Sequence, residues 1–171
     1  MRWRDLGDEA CSLARTVSVI GDRWTLLILR DCFLRVRRFE DFQERLGITR
    51  PLLAHRLRGL VEDGVLERVA YQQRPLRHEY RLTARGRDLY PVIMAMVHWG
   101  DVHRAGRRGR PLLHRHLECG RDFDPVMTCS ACGEALDPRH VHVHPGPGAR
   151  SPRHLPSVGP SSGPSLGRKT R

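Results

Sequence analysis

The sequence predicts a mostly helical α+β fold of four helices, a two-stranded hairpin and a long closing helix. Three observations carry that prediction. Apolar residues recur at helical spacing over residues 10–63, alternate over 65–83, and return to helical spacing over 84–104. Helices followed by a hairpin and a closing helix, in this order, describe a winged helix–turn–helix.

Each element has its own reason. In EACSLARTVSVIG, Ala10, Leu13, Ala14, Val17 and Ile20 fall on one helical face, and Gly21 ends it. DRWTLLILRDCFL is apolar nearly all round, which predicts a central buried helix with Cys32 in the core. RFEDFQERLG is short, with Phe39, Phe42 and Leu46 on one face and Gly47 as its stop. The next helix opens with Ile48 and Thr49, runs over 49–63, and is followed by Gly64. A tight turn at Gly47 would set these two helices at an angle.

VLERVAYQ and LRHEYRLT alternate, with Val69, Tyr80 and Leu82 as inward residues of a wing over 65–83. The loop QQRPL between them holds Pro75, where a missing N–H does no harm. Thr83 can cap a last long helix, ARGRDLYPVIMAMVHWGDVHR, which Pro91 would kink near its start. Its apolar positions Leu89, Val92, Ile93, Met96, Val97, Trp99 and Val102 make a stripe wider than one small core uses.

From Gly106 the register breaks. Three regions follow from this: residues 1–106 as the winged domain, 107–144 as a small Cys/His-rich extension, and 145–171 as a Pro/Gly/Ser-rich tail expected to be disordered. The sequence shows no internal repeat.

Charge points to the partner. The chain of 171 residues has a formal net charge of +11, and its sequence pI is about 10.8. Polyanions are the natural ligands of such a chain. Lys169 is the only lysine, so arginine abundance is partly a habit of composition, and position says more. Residues 45–87 hold ten arginines against Glu62, Asp63, Glu67 and Glu79. No apolar run nears the roughly 20 residues that cross a bilayer, and MRWRDLGDEACS lacks the apolar core of a signal peptide. A cytoplasmic protein without a membrane partner is expected, with its five cysteines reduced, metal-bound or redox-sensing.

Double-stranded DNA is the expected partner. At roughly 100° per residue, Leu53, Leu57, Leu60 and Val61 of helix 49–63 share one side, while Pro51, His55, Arg58 and Glu62 lie opposite and Arg56 flanks them. Thr49, Arg50, Pro51 and His55 would therefore enter a major groove first. Arginine reads guanine O6 and N7 with two hydrogen bonds, so Arg50 is the sharpest candidate reader. Arg56 and Arg58 are placed to hold phosphates, and Arg74 and Arg77 flank Pro75 where a wing would meet a minor groove or the backbone.

The motifs IGDRWTLLILRD, RRFEDFQERLGIT, LAHRLRGLVEDGVLERVAY and EYRLTARGRDLYPVI lie within residues 9–104. Over that span the chain resembles the HxlR-type winged-helix transcription regulators. The resemblance implies a bacterial cytosolic homodimer on a palindromic operator, more often a repressor than an activator, with the dimer built by the first and last helices. It matches Thr49, Arg50, His55 and Arg56 to groove-facing positions, and Arg74 and Arg77 to the wing. It also matches Cys11 to a cysteine through which several members respond to oxidants, although Ser12 stands where a proline is common. A thiol in a first helical turn has its thiolate favoured by free N–H groups, and Arg15 adds positive charge. A packing role for Cys11 is the alternative.

In the extension, CSACGE offers Cys129 and Cys132 as a C-x-x-C-G knuckle able to share a tetrahedral Zn²⁺. Cys119 is a third candidate ligand, and His116, three residues before it, a fourth. A second C-x-x-C is missing, so unliganded cysteines and a redox C-x-x-C pair stay open beside zinc. No local motif positions a histidine base for cysteine catalysis, and no enzyme is expected. A MarR-like regulator with a small-molecule pocket, or a protein-interaction module that reads no DNA, are the competing functions.

Overall fold

A computed structural model describes residues 10–149. Its elements are α1 (Ser12–Ile20), α2 (Arg23–Phe33), α3 (Phe39–Leu46), α4 (Arg50–Glu62), β1 (Leu66–Gln73), β2 (Leu76–Leu82), α5 (Ala84–Arg87) and α6 (Tyr90–Arg104). The winged helix–turn–helix is therefore present in the expected order.

Local chemistry sets the boundaries. Asp22 caps α2, its Oδ1 accepting from the amides of Trp24 at 3.0 Å and Thr25 at 3.2 Å. Gly47 ends α3 at φ +60°, a conformation that costs glycine little, and its N–H reaches the Gln43 carbonyl. Thr49 is the N-cap of α4, which puts Pro51 in the first turn, where no amide is needed.

The core gathers Ile28 and Leu29 of α2, Phe42 of α3, Leu53, Leu57 and Leu60 of α4, then Val65, Leu66 and Ile93. Helix α2 is central, as its composition predicts, but it is not apolar all round. It buries a charge, Asp31, which is wholly inaccessible. Its carboxylate accepts from Arg30 Nε at 2.9 Å and Arg45 Nε at 3.3 Å, which ties α2 to α3. A buried carboxylate persists only with such partners.

The hairpin pairs β1 and β2 antiparallel, Leu66 opposite Leu82, with a bulge between Ala70 and Gln72. The turn is tighter than the loop QQRPL, because only Arg74 and Pro75 lie between the strands. Tyr80 and Leu82 pack on the core as expected, but Val69 is not among the residues that do; Leu66 takes that place. The Tyr80 amide donates to the Arg37 carbonyl at 2.8 Å, which anchors the hairpin to the segment preceding α3.

The single closing helix is corrected to two. Thr83 caps only α5, its Oγ1 accepting from the Gly86 amide at 3.0 Å and donating to the Gly64 carbonyl at 2.7 Å. Proline inside a helix removes an amide and crowds the preceding turn. The chain therefore breaks at Asp88 and Leu89 and restarts with Pro91 in the first turn of α6. Ile93 is buried in α6, while Val92, Met96, Trp99 and Val102 are exposed, Trp99 at 57%.

Contacts divide the chain into one unit through Ala135 and a second from Leu136, so residues 107–135 group with the winged core. Of the expected tail, residues 145–149 are described and carry a turn closed by the Ala149 amide on the Gly146 carbonyl, at 3.0 Å; residues 150–171 lie outside the described residues. Among the described residues, no helix is long and apolar enough to cross a membrane.

Candidate nucleic-acid interface

The front of α4 is built by its cap and its stripe. Leu53, Leu57 and Leu60 point into the core, which turns Thr49, Arg50, Pro51, His55 and Arg58 outward, all exposed. The Arg50 guanidinium lies over the Phe39 ring, 4.8 Å from its centroid, so the cation is held at the helix start by an aromatic face. No ion pair or hydrogen bond engages the Arg58 side chain among the described residues, and its charge faces solvent.

Arg56 has a partner within the chain that its helical position does not reveal. Its side chain turns inward and pairs with Asp22, Nη2 to Oδ2 at 3.1 Å and Nε to Oδ1 at 3.1 Å. The helical angle alone placed it on the flank; the carboxylate that caps α2 decides which way it bends. Arg56 is thus partly buried and paired with the carboxylate that caps α2.

Arg74 and Arg77 are exposed at the tip of the hairpin. Between α3, α4 and the hairpin runs a groove of about 480 Å³ that collects Arg38, Arg50, Arg68 and Arg77 against Glu40 and Asp41. Arg38 and Arg68 were not singled out from the sequence, because only the docking of the hairpin brings positions 38 and 68 to one groove. Both are held in place. Arg38 lies over the Tyr71 ring, 4.8 Å from its centroid. Arg68 Nη2 donates to His78 Nδ1 at 3.0 Å, which puts the imidazole proton on Nε2.

Cys11 is exposed and sits at the N-cap of α1 rather than inside its first turn, its carbonyl accepting from the Arg15 amide at 3.1 Å. Cys32 is buried, as expected, and burial, then the nearby Asp31 charge, push its thiol up to about 12. That thiol is inert at neutral pH.

The four candidate metal ligands form two pairs. His116 Nδ1 lies 3.4 Å from Cys119 Sγ. In the other pair, Cys129 is held below the ordinary thiol range by the Ala131 amide, then by the amide and thiol of Cys132. The pairs are not joined: among the described residues no three His, Cys, Asp or Glu side chains are gathered closely enough to hold a metal. The segment between them, 123–127, has no regular structure to fix their relative position.

The chain is similar to known transcriptional regulators. An uncharacterised HTH-type transcriptional regulator of Mycobacterium tuberculosis is 47% identical over 143 residues, covering 84% of this chain and 90% of the relative. The HTH-type regulator YdeP of Bacillus subtilis is 37% identical over 97 residues, covering 56% of this chain and 76% of its own. Among solved structures, PA1607, a candidate transcription factor, superposes with a TM-score of 0.73 at 33% identity, covering 81% of this chain and 96% of its own. The redox regulator HypR, in its oxidised form, superposes at 0.51 with 34% identity, covering 55% and 98%. Residues 19–107 match the HxlR-like helix-turn-helix family, and the chain belongs to it.

Proposed function

We propose that this DNA-binding transcriptional regulator acts as a cytoplasmic homodimeric repressor, reading a palindromic operator with the front of α4 and its hairpin wing. The observation that carries the reading is the groove in which Arg38, Arg50, Arg68 and Arg77 converge beside the exposed helix start. A phosphate backbone along that groove would place Thr49, Arg50 and His55 on base edges, with Arg58 and Arg74 on flanking phosphates. Symmetry comes from α6: the exposed row Val92, Met96, Trp99 and Val102, with Leu13 of α1, suits a second copy of the chain. The chain is read as a binding protein with no catalytic residue.

Cys11 is the residue we assign to oxidant sensing. It is exposed at the start of α1, and the similarity to HypR favours a thiol response. Modification there would shift how two copies pack. Treating the Cys11→Ser chain with diamide tests it: operator binding should survive doses that release the parent, and equal release would refute the assignment.

A second reading, control by a small molecule, is favoured by one feature. A cleft of about 430 Å³ opens between α2, α6 and the segment 111–114, walled by Phe33, Tyr90, Ile93, Met94, Val97 and Leu112. It is apolar enough for an aromatic effector.

Gel shifts on the gene's own upstream DNA at two salt concentrations test the main reading. Specific retention that weakens steeply with salt is expected; retention no better than on competitor DNA would point to a protein-interaction module instead.

A further inference from the structure

Between residues 109 and 143 no side chain is buried. Leu113, Leu117, Val126 and Met127 all stand exposed. A segment without a core should have little reason to repeat a defined backbone, yet this one does. At the first site, the Gly120 amide closes a turn on the His116 carbonyl at 2.8 Å, and His116 N–H reaches the Arg121 carbonyl at 2.9 Å. Arg115 and Asp122 form an antiparallel bridge around it. Displaced by 13 residues, the Gly133 amide closes on the Cys129 carbonyl at 2.8 Å, and Cys129 N–H reaches the Glu134 carbonyl at 2.8 Å. Thr128 and Ala135 form the matching bridge. Both closing glycines have positive φ, +68° and +75°. The structure therefore holds an internal repeat that the letters conceal, because histidine replaces cysteine at its first position. His116 and Cys119 stand where Cys129 and Cys132 stand.

We propose that these two turns are the halves of one tetrahedral metal site, with His116, Cys119, Cys129 and Cys132 as ligands and Zn²⁺ as the ion. A short turn closed by glycine presents its two donor atoms to one side, the arrangement a knuckle needs. The first half already has a suitable span, since His116 Nδ1 and Cys119 Sγ lie 3.4 Å apart. With Zn–N near 2.0 Å and Zn–S near 2.3 Å, two tetrahedral ligands lie about 3.5 Å from each other. His116 Nε2 lies 3.9 Å from the Glu118 carboxylate, on the side of the ring away from Cys119.

The halves stand apart in this structure. Residues 123–127 between them contain no helix or strand, and the proposed site requires the second turn to close onto the first. Binding would exchange three thiol protons for the ion and release them to solvent, with His116 neutral and no change of oxidation state. The metal then supplies the stability that the missing core does not.

The full chain, purified from zinc-replete cells without chelator, should carry about one zinc, and under about 0.2 per chain would overturn the proposal. His116→Ala and Cys119→Ser should lower the zinc content as far as Cys129→Ser does. If only Cys129→Ser and Cys132→Ser lower it, the four-ligand site is wrong. Cobalt-substituted chain should show tetrahedral d–d bands with thiolate charge transfer, and an octahedral spectrum would refute it. Should a variant fail to fold, mercurial titration of the unaltered chain decides: zinc must leave as Cys119, Cys129 and Cys132 react. Release that does not follow those thiols overturns the site.

Discussion

Arg56 of α4 and Asp22 at the head of α2 form one junction, Nη2 lying 3.1 Å from Oδ2. The same carboxylate caps α2 through the amides of Trp24 and Thr25. One acidic residue therefore starts the central helix and ties it to α4.

Asp22→Ala should lower stability by about 1–2 kcal/mol, combining a lost cap with a half-exposed ion pair. Asp22→Asn, which keeps an accepting oxygen, should lose about half as much. Thermal unfolding of both variants checks this; equal losses would mean the cap contributes nothing. Arg56→Ala should destabilise without changing the salt dependence of DNA binding, because that guanidinium is engaged inside the protein.

Met96→Glu or Trp99→Glu should separate the two copies. Each would place a charge in the exposed row of α6, where Met96 is 50% and Trp99 57% accessible. Burying an unpaired carboxylate in a dimer seam is costly. Sedimentation should report monomers, and operator affinity should fall at least about tenfold once half-sites bind singly, a penalty of 1.4 kcal/mol or more. Unchanged dimers would move the interface elsewhere.

Cys32 gives a pH test. Its folded thiol titrates at about 12, against an ordinary value of 9.0. The folded value is raised, so the stabilisation is complete below pH 9 and drains away as pH climbs toward 12. Chemical denaturation from pH 8 upward should show that decline, and Cys32→Val should flatten it. A thiol reagent at neutral pH should leave Cys32 unmodified until the chain unfolds.

Most of the fold was legible because period, caps and breakers agree along residues 10–83. The leucines of α4, the stop at Gly47 and the cap at Thr83 each follow from local rules. What escaped depended on distance in space. Asp31 looks like a surface residue until Arg30 and Arg45 close over it. Arg56 looks unpaired until the fold brings Asp22 to it. Arg38 and Arg68 join the candidate groove only through hairpin docking. Pro91 was read as a kink, but its ring crowds the preceding turn enough to divide the helix. The repeat at 116 and 129 is one of hydrogen bonds and glycine conformation, and its letters share only Cys-Gly and a following Asp-Pro.

The most direct test of the account compares Arg50→Ala with Arg58→Ala across a panel of operators, each altered at one base pair. Arg50→Ala should relax discrimination at one position by about 1–3 kcal/mol. Arg58→Ala should weaken binding to every sequence alike and reduce the salt slope by about one. If the two variants behave identically, α4 does not meet DNA by its front face, and the account is contradicted.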